Sequence, residues 1–122
     1  MDKLRIGIIG TGGIAHAHMG AYKNRNDIEI VALCDIIPGK AEAFAKEFGI
    51  EGAKFYENHE KMLDKETLDG VSVCTYNRQH AAPTIYALKK GVNVLLEKPF
   101  SVTLDEAVEM CRAEKESGKI LT

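Results

Sequence analysis

Tryptophan is absent from the 122 residues, and proline and cysteine occur three times each. The cysteines are Cys34, Cys74 and Cys111, odd in number and without a CxxC pair. That excludes a disulfide framework and offers no zinc-ribbon spacing. Cys34 and Cys74 lie inside apolar runs, where buried, reduced thiols are expected. No charge dominates either. Sixteen Lys and Arg stand against eighteen Asp and Glu, a formal net charge of −2. The basic stripe of a nucleic-acid binder is missing, so no nucleic-acid partner is expected. No run reaches the roughly 18 apolar residues of a membrane span. The charged residues 1–5 precede an apolar run too short and too broken by glycine for a secretory signal. These absences lead to the expectation of a cytoplasmic protein without a membrane partner.

What is present alternates between two periods. Short apolar runs at 4–9, 28–34, 53–56, 71–75 and 92–96 read as strands. Between them, helical spacing covers 13–23, 38–48, 57–63 and a stretch from Ala81 to its stop at Gly91. Pro38 suits the first turn of its helix, and Gly49 lies just past the end. Thr103-Leu104-Asp105-Glu106 is a capping box that opens a last helix closed by Gly118. Leu104, Ala107, Val108 and Cys111, with Met110 beside them, form its apolar stripe. Residues 119–122 start a further extended segment, and the chain stops there, as if cut within an element pair. Strands alternating with helices imply an α/β fold, a doubly wound parallel sheet with helices on both faces. The expected strand order is 3-2-1-4-5-6.

The first strand runs directly into Gly10-Thr11-Gly12-Gly13-Ile14-Ala15, a GxGxxA pattern at a strand–helix junction. Gly10 permits a tight turn. Gly12 lets a pyrophosphate approach the backbone, and Ala15 keeps helix and strand close. Gly13 and Ile14 complete the loop, whose free N–H groups and positive dipole end suit phosphates. Asp35 ends the second strand, 25 positions after Gly10, near the usual offset of about 20. Its carboxylate can accept both ribose hydroxyls of an adenosine and would repel a 2′-phosphate. The nearest cations along the chain, Lys40 and Arg25, are not adjacent to it. This favours NAD over NADP. A loop and acid of this kind also serve methyltransferases that bind S-adenosylmethionine, so these two features leave that class open.

Two strand ends carry further polar groups. The fourth leads into Cys74-Thr75-Tyr76-Asn77-Arg78-Gln79-His80, and the fifth ends as Leu95-Leu96-Glu97-Lys98-Pro99-Phe100. In this order of strands both project beyond the sheet on the side where a ligand binds. On the residues alone, Glu97 and Lys98 are either a surface ion pair or a proton-handling site. His80 reads as a strand-end or helix-capping residue. His16 and His18 are two apart on a helix and face different ways, which is no metal pair. His59 sits among polar neighbours at the surface. No metal site and no Ser-His-Asp arrangement is supported.

With GTGGIA, Asp35, CTYNRQH and EKPF together, the chain resembles the N-terminal domain of the glucose-fructose oxidoreductase, inositol dehydrogenase and rhizopine-catabolism family. The resemblance runs from about Lys3 to the end, and Tyr76 stands where the family often has proline. It implies a Rossmann domain at 1–122 and a second, substrate-binding α/β domain absent from this sequence. It implies that Gly10, Gly12, Gly13, Ile14 and Ala15 line the pyrophosphate and that Asp35 holds the ribose. Thr75, Asn77 and His80 would lie along the nicotinamide. Glu97 would place the cofactor or the lysine, and Lys98 would be the catalytic group. The implied activity is hydride transfer between a nicotinamide cofactor and a sugar, inositol or similar polyol, in a homo-oligomer when full length. The competing reading is a dinucleotide sensor without catalysis. Pro99 would fix the lysine's turn, with a cis Lys98–Pro99 bond as the expected device.

Overall fold

The computed structural model describes residues 3–75, 79–98 and 103–122. Elements follow in the order β1 (Leu4–Ile9), α1 (Gly13–Lys23), β2 (Ile28–Cys34), α2 (Lys40–Phe48) and β3 (Lys54–Tyr56). Then come α3 (His59–Lys65), β4 (Gly70–Val73), α4 (Ala81–Lys89), β5 (Asn93–Leu96) and α5 (Leu104–Ser117). The five strands form one parallel sheet in the order β3-β2-β1-β4-β5. The expected sixth position is taken up beyond β5. There Leu121 makes a parallel bridge to Val94. Val94 N–H donates to Ile120 O at 2.8 Å, and Leu96 N–H to Thr122 O at 2.7 Å.

Both faces of the sheet are covered, because successive strand residues point to opposite sides. Ile8, Leu33 and Cys74 pack with Ala15 and Met19 of α1 and Phe44 and Ala45 of α2. Ile9, Ala32, Cys34, Val73 and Val94 pack on the other face with Met62 of α3, Ala87 and Leu88 of α4 and Ala113 of α5. Ile8 and Leu33 are wholly buried, each contributing about 1.5–3 kcal/mol relative to exposure.

Helix ends follow their chemistry. Asn58 Oδ1 accepts from the Glu60 and Lys61 amides at 2.8 and 3.1 Å. The Thr103 hydroxyl accepts from Glu106 N–H at 3.1 Å, and the Glu106 carboxylate accepts from Thr103 N–H. Gly91, at φ 81°, ends α4, with its N–H on Leu88 O and that of Val92 on Ala87 O, the paired bonds of a Schellman motif.

Two local expectations need correction. Pro38 is not in the first turn of α2. Gly39 takes a left-handed conformation, φ 82°, and the helix begins at Lys40. The stripe assigned to α5 is right only in part. Leu104 is 79% exposed and Val108 47%, and Cys111 is exposed, whereas Met110 and Ala113 are buried. Helix α5 packs on α4, and the small side chain of Ala113 admits that contact. No helix among the described residues is long and apolar enough to cross a membrane. The expected cis bond falls on Pro99, outside the described residues.

Candidate functional site

Beyond the carboxyl ends of β1, β2 and β4 the chain opens into a groove of about 660 Å³. Its floor is the glycine loop. Gly10 has φ 92°, and a Cβ there would lie 2.7 Å from the backbone carbon and oxygen of Cys74. Its glycine is required by the protein itself. Gly12 and Gly13 differ. A Cβ on either would meet nothing within 4 Å, yet both line the groove with Ile14. Neither packing nor a positive φ calls for glycine there. Free backbone facing open space is what close approach by an external group requires. Helix α1 starts at this point with no side-chain cap and no acid in its first turn, so its amides face the groove unneutralised. Ala15, wholly buried, seats the helix on β1 as its place in the motif predicts.

Asp35 lines the same groove and also braces the loop. Its Oδ2 accepts from Thr11 N–H at 2.9 Å and from the Thr11 hydroxyl at 2.7 Å. Its Oδ1 accepts from Ile37 N–H at 2.9 Å. Burial alone would push this carboxyl up. The Ile37 amide, the Thr11 hydroxyl and amide and the charge of Lys40 together hold it below its ordinary range. A carboxylate offers about four lone-pair positions, so three donors leave it able to accept one more. Lys40 lines the groove as well. Its nearness to Asp35 was not visible as adjacency along the chain. The far walls come from Glu57, Asn58 and His59 at the start of α3 and from Cys74, Thr75, Gln79 and Pro83 around the start of α4.

The other expected residues are placed as follows. Thr75 lines the groove, and its hydroxyl donates to Gln79 O at 3.1 Å. His80 is buried, and its Nε2 lies 2.9 Å from Thr75 O, so it pins the loop after β4 and does not line the groove. Asn77 lies outside the described residues. Glu97 and Lys98 follow β5 outside the groove's lining. Glu97 N–H donates to Val73 O at 3.1 Å, which ties the turn to β4. Lys98 is exposed beside it.

Two histidines of α1 serve this region, and one of them was missed. His16 Nδ1 lies 3.0 Å from Gly12 O, and its Nε2 lies 3.1 Å from Glu47 of α2. The Gly12 carbonyl, then the Glu47 carboxylate, raise its pKa. His18, to which the sequence assigns no role at the site, meets Glu97 at 2.5 Å. That bond is the largest reason the Glu97 carboxyl lies below its ordinary range. No spacing signal announces a contact between residues 79 positions apart. Burial pushes the Cys34 and Cys74 thiols up to about 12, so both stay protonated. Among the described residues no group of His, Cys, Asp and Glu could hold a metal ion.

Comparison with known proteins agrees with this geometry. Residues 4–122 match a family model described as an oxidoreductase family with an NAD-binding Rossmann fold. D-glucoside 3-dehydrogenase of Escherichia coli K12 is 40% identical over 97% of this chain and 33% of its own length. Inositol 2-dehydrogenase of Salmonella typhimurium LT2 is 32% identical over 95% of the chain and 34% of its length. Among solved structures, the WlbA dehydrogenase from Chromobacterium violaceum, in complex with NADH and UDP-GlcNAcA, superposes with a TM-score of 0.90. It is 29% identical, over 99% of this chain and 34% of that one. The myo-inositol 2-dehydrogenase from Lactobacillus plantarum gives 0.88 at 30% identity, over 99% and 36%. The chain thus spans about a third of the length of the relatives it matches. By its matching model, its fold and the glycine groove, the chain belongs to the glucose-fructose oxidoreductase, inositol dehydrogenase and rhizopine-catabolism family, as its NAD-binding Rossmann fold.

Proposed function

We propose that this domain holds NAD for an oxidoreductase that moves hydride between the nicotinamide and a sugar, inositol or similar polyol. The observation that carries the reading is the open backbone at Gly12 and Gly13, glycines with no structural reason of their own on the floor of the groove. In this reading the amides of Gly12, Gly13 and Ile14 meet the pyrophosphate, and Asp35 accepts from the adenosine ribose. Thr75 and Asn77 flank the nicotinamide, and His80 holds Thr75 in place. NAD, when bound, supplies the hydride acceptor. Lys98 exchanges the proton of the reacting hydroxyl at Nζ, and Glu97 holds the lysine's turn. Asp35 opposes a 2′-phosphate and so favours NAD over NADP. The substrate's remaining contacts come from a second domain in the full-length protein, which acts in the cytoplasm as a homo-oligomer.

NADH fluorescence titration tests the reading. Saturable binding is expected, and Asp35→Ala should weaken it by about tenfold, as loss of a charge-assisted bond does. No saturable binding of NADH or NADPH at millimolar concentration would overturn it.

A further inference from the structure

We propose that His18 is a positioning residue for Lys98 and acts through Glu97, an inference that rests on the catalytic reading of Lys98. The turn after β5 is held twice. Its main chain is fixed by Glu97 N–H on Val73 O, 3.1 Å. Its side chain is fixed from the opposite element, where His18 Nε2 donates to Glu97 Oε2 at 2.5 Å. The Lys98 peptide and side-chain charge also help hold this carboxyl below its ordinary range. One anion therefore links helix α1 to the end of β5, beside the lysine.

The pair is shielded. The His18 side chain is 9% exposed and that of Glu97 24%, so salt screens the contact little and a bond to the ionised oxygen is strong. Among the described residues, the other titratable groups facing Glu97 are the Cys74 thiol beyond β4, protonated through burial, and Lys98 itself. His18 is therefore the partner that competes with Lys98 for the carboxylate. Its second nitrogen, Nδ1, is buried with no hydrogen-bond partner. A carboxylate oxygen can only accept, so the geometry places a proton on Nε2, the nitrogen that faces Glu97. An apolar side chain would fill this space without any desolvation cost. A histidine here is explained by the bond it makes. That bond has a consequence for the site. Helix α1 begins at the glycine loop, so the clamp fixes the distance between the pyrophosphate end of the cofactor and the lysine at its nicotinamide end. It also draws the Glu97 charge toward His18 and leaves the Lys98 ammonium free to face substrate.

The test compares His18→Leu with His18→Gln in the complete gene product. His18→Leu should lower kcat by about tenfold or more with KM for NAD within about twofold, the pattern of a group that acts on the reacting geometry. His18→Gln keeps an N–H donor at the Nε2 position and should restore most of the rate. Wild-type kcat in His18→Leu, or a loss that glutamine does not rescue, overturns the proposal. Imidazole nitrogen NMR on the unsubstituted protein gives a check independent of any variant's folding. Nε2 should carry the proton, and a proton on Nδ1 alone would overturn the clamp. NADH titration of the unsubstituted protein separates the two failures. Without NADH binding the proposed function falls; with it, unchanged turnover in His18→Leu removes His18 alone.

Discussion

At the scale of the residue, two glycines two positions apart do different work. Gly10 sits at positive φ against the Cys74 backbone, whereas Gly12 faces open space. Gly10→Ala should cost about 2–4 kcal/mol of stability through strain and overlap, read as a lowered midpoint in urea. Gly12→Ala should leave that midpoint within about 0.5 kcal/mol and instead weaken NADH binding. Equal stability losses in the two variants would contradict this division. The motif already assigns Gly10 to the turn and Gly12 to backbone approach, and the surroundings of each Cβ, which spacing does not reveal, agree with that division. The same limit explains Lys40 and His18. Asp35 was legible from its offset along the chain. Lys40 reaches it across a turn, and His18 reaches Glu97 across the sheet, contacts that exist only after folding. Cys34 and Cys74 were legible as buried thiols because their apolar surroundings are local in sequence.

At the scale of the element, boundaries were legible where a side chain or a glycine sets them. The capping box of α5 is present as read, since both of its bonds lie within four residues. Thr103→Ala should lower stability by about 1 kcal/mol, and Thr103→Ser should retain most of it. A loss no greater than that of an exposed Ala substitution elsewhere on α5 would show that the cap contributes nothing. The buried side of α5 was misread in part because its sequence holds two competing stripes. Leu104, Val108 and Cys111 form the more apolar one. Met110 and Ala113 mark the buried one, on a helix that packs against α4, where close approach matters more than side-chain hydrophobicity. The start of α2 was misplaced for a related reason. Pro38 fits a first turn, but Gly39 at positive φ makes a separate turn before the helix.

At the scale of the whole molecule, the alternation of strand and helix was enough to reach the parallel sheet and its order, because right-handed crossovers leave few alternatives. The groove follows from that order. It opens where the chain, having laid β2 and β3 to one side of β1, returns to lay β4 on the other. The central position of β1 has a further consequence for synthesis on the ribosome. Its residues 4–9 gain one neighbour when 28–34 emerge, but residues 6–9 gain the other only with 70–73. The first strand made thus keeps a bare edge through the synthesis of more than half the domain. Protease resistance of β1 in ribosome-arrested chains should appear only after residues 70–73 have cleared the exit tunnel. Resistance acquired as soon as β2 emerges would show that one neighbour suffices. In the expected case the nascent strand needs shelter from pairing with other chains over that interval, and a pause in translation before residue 70 would lengthen its exposure.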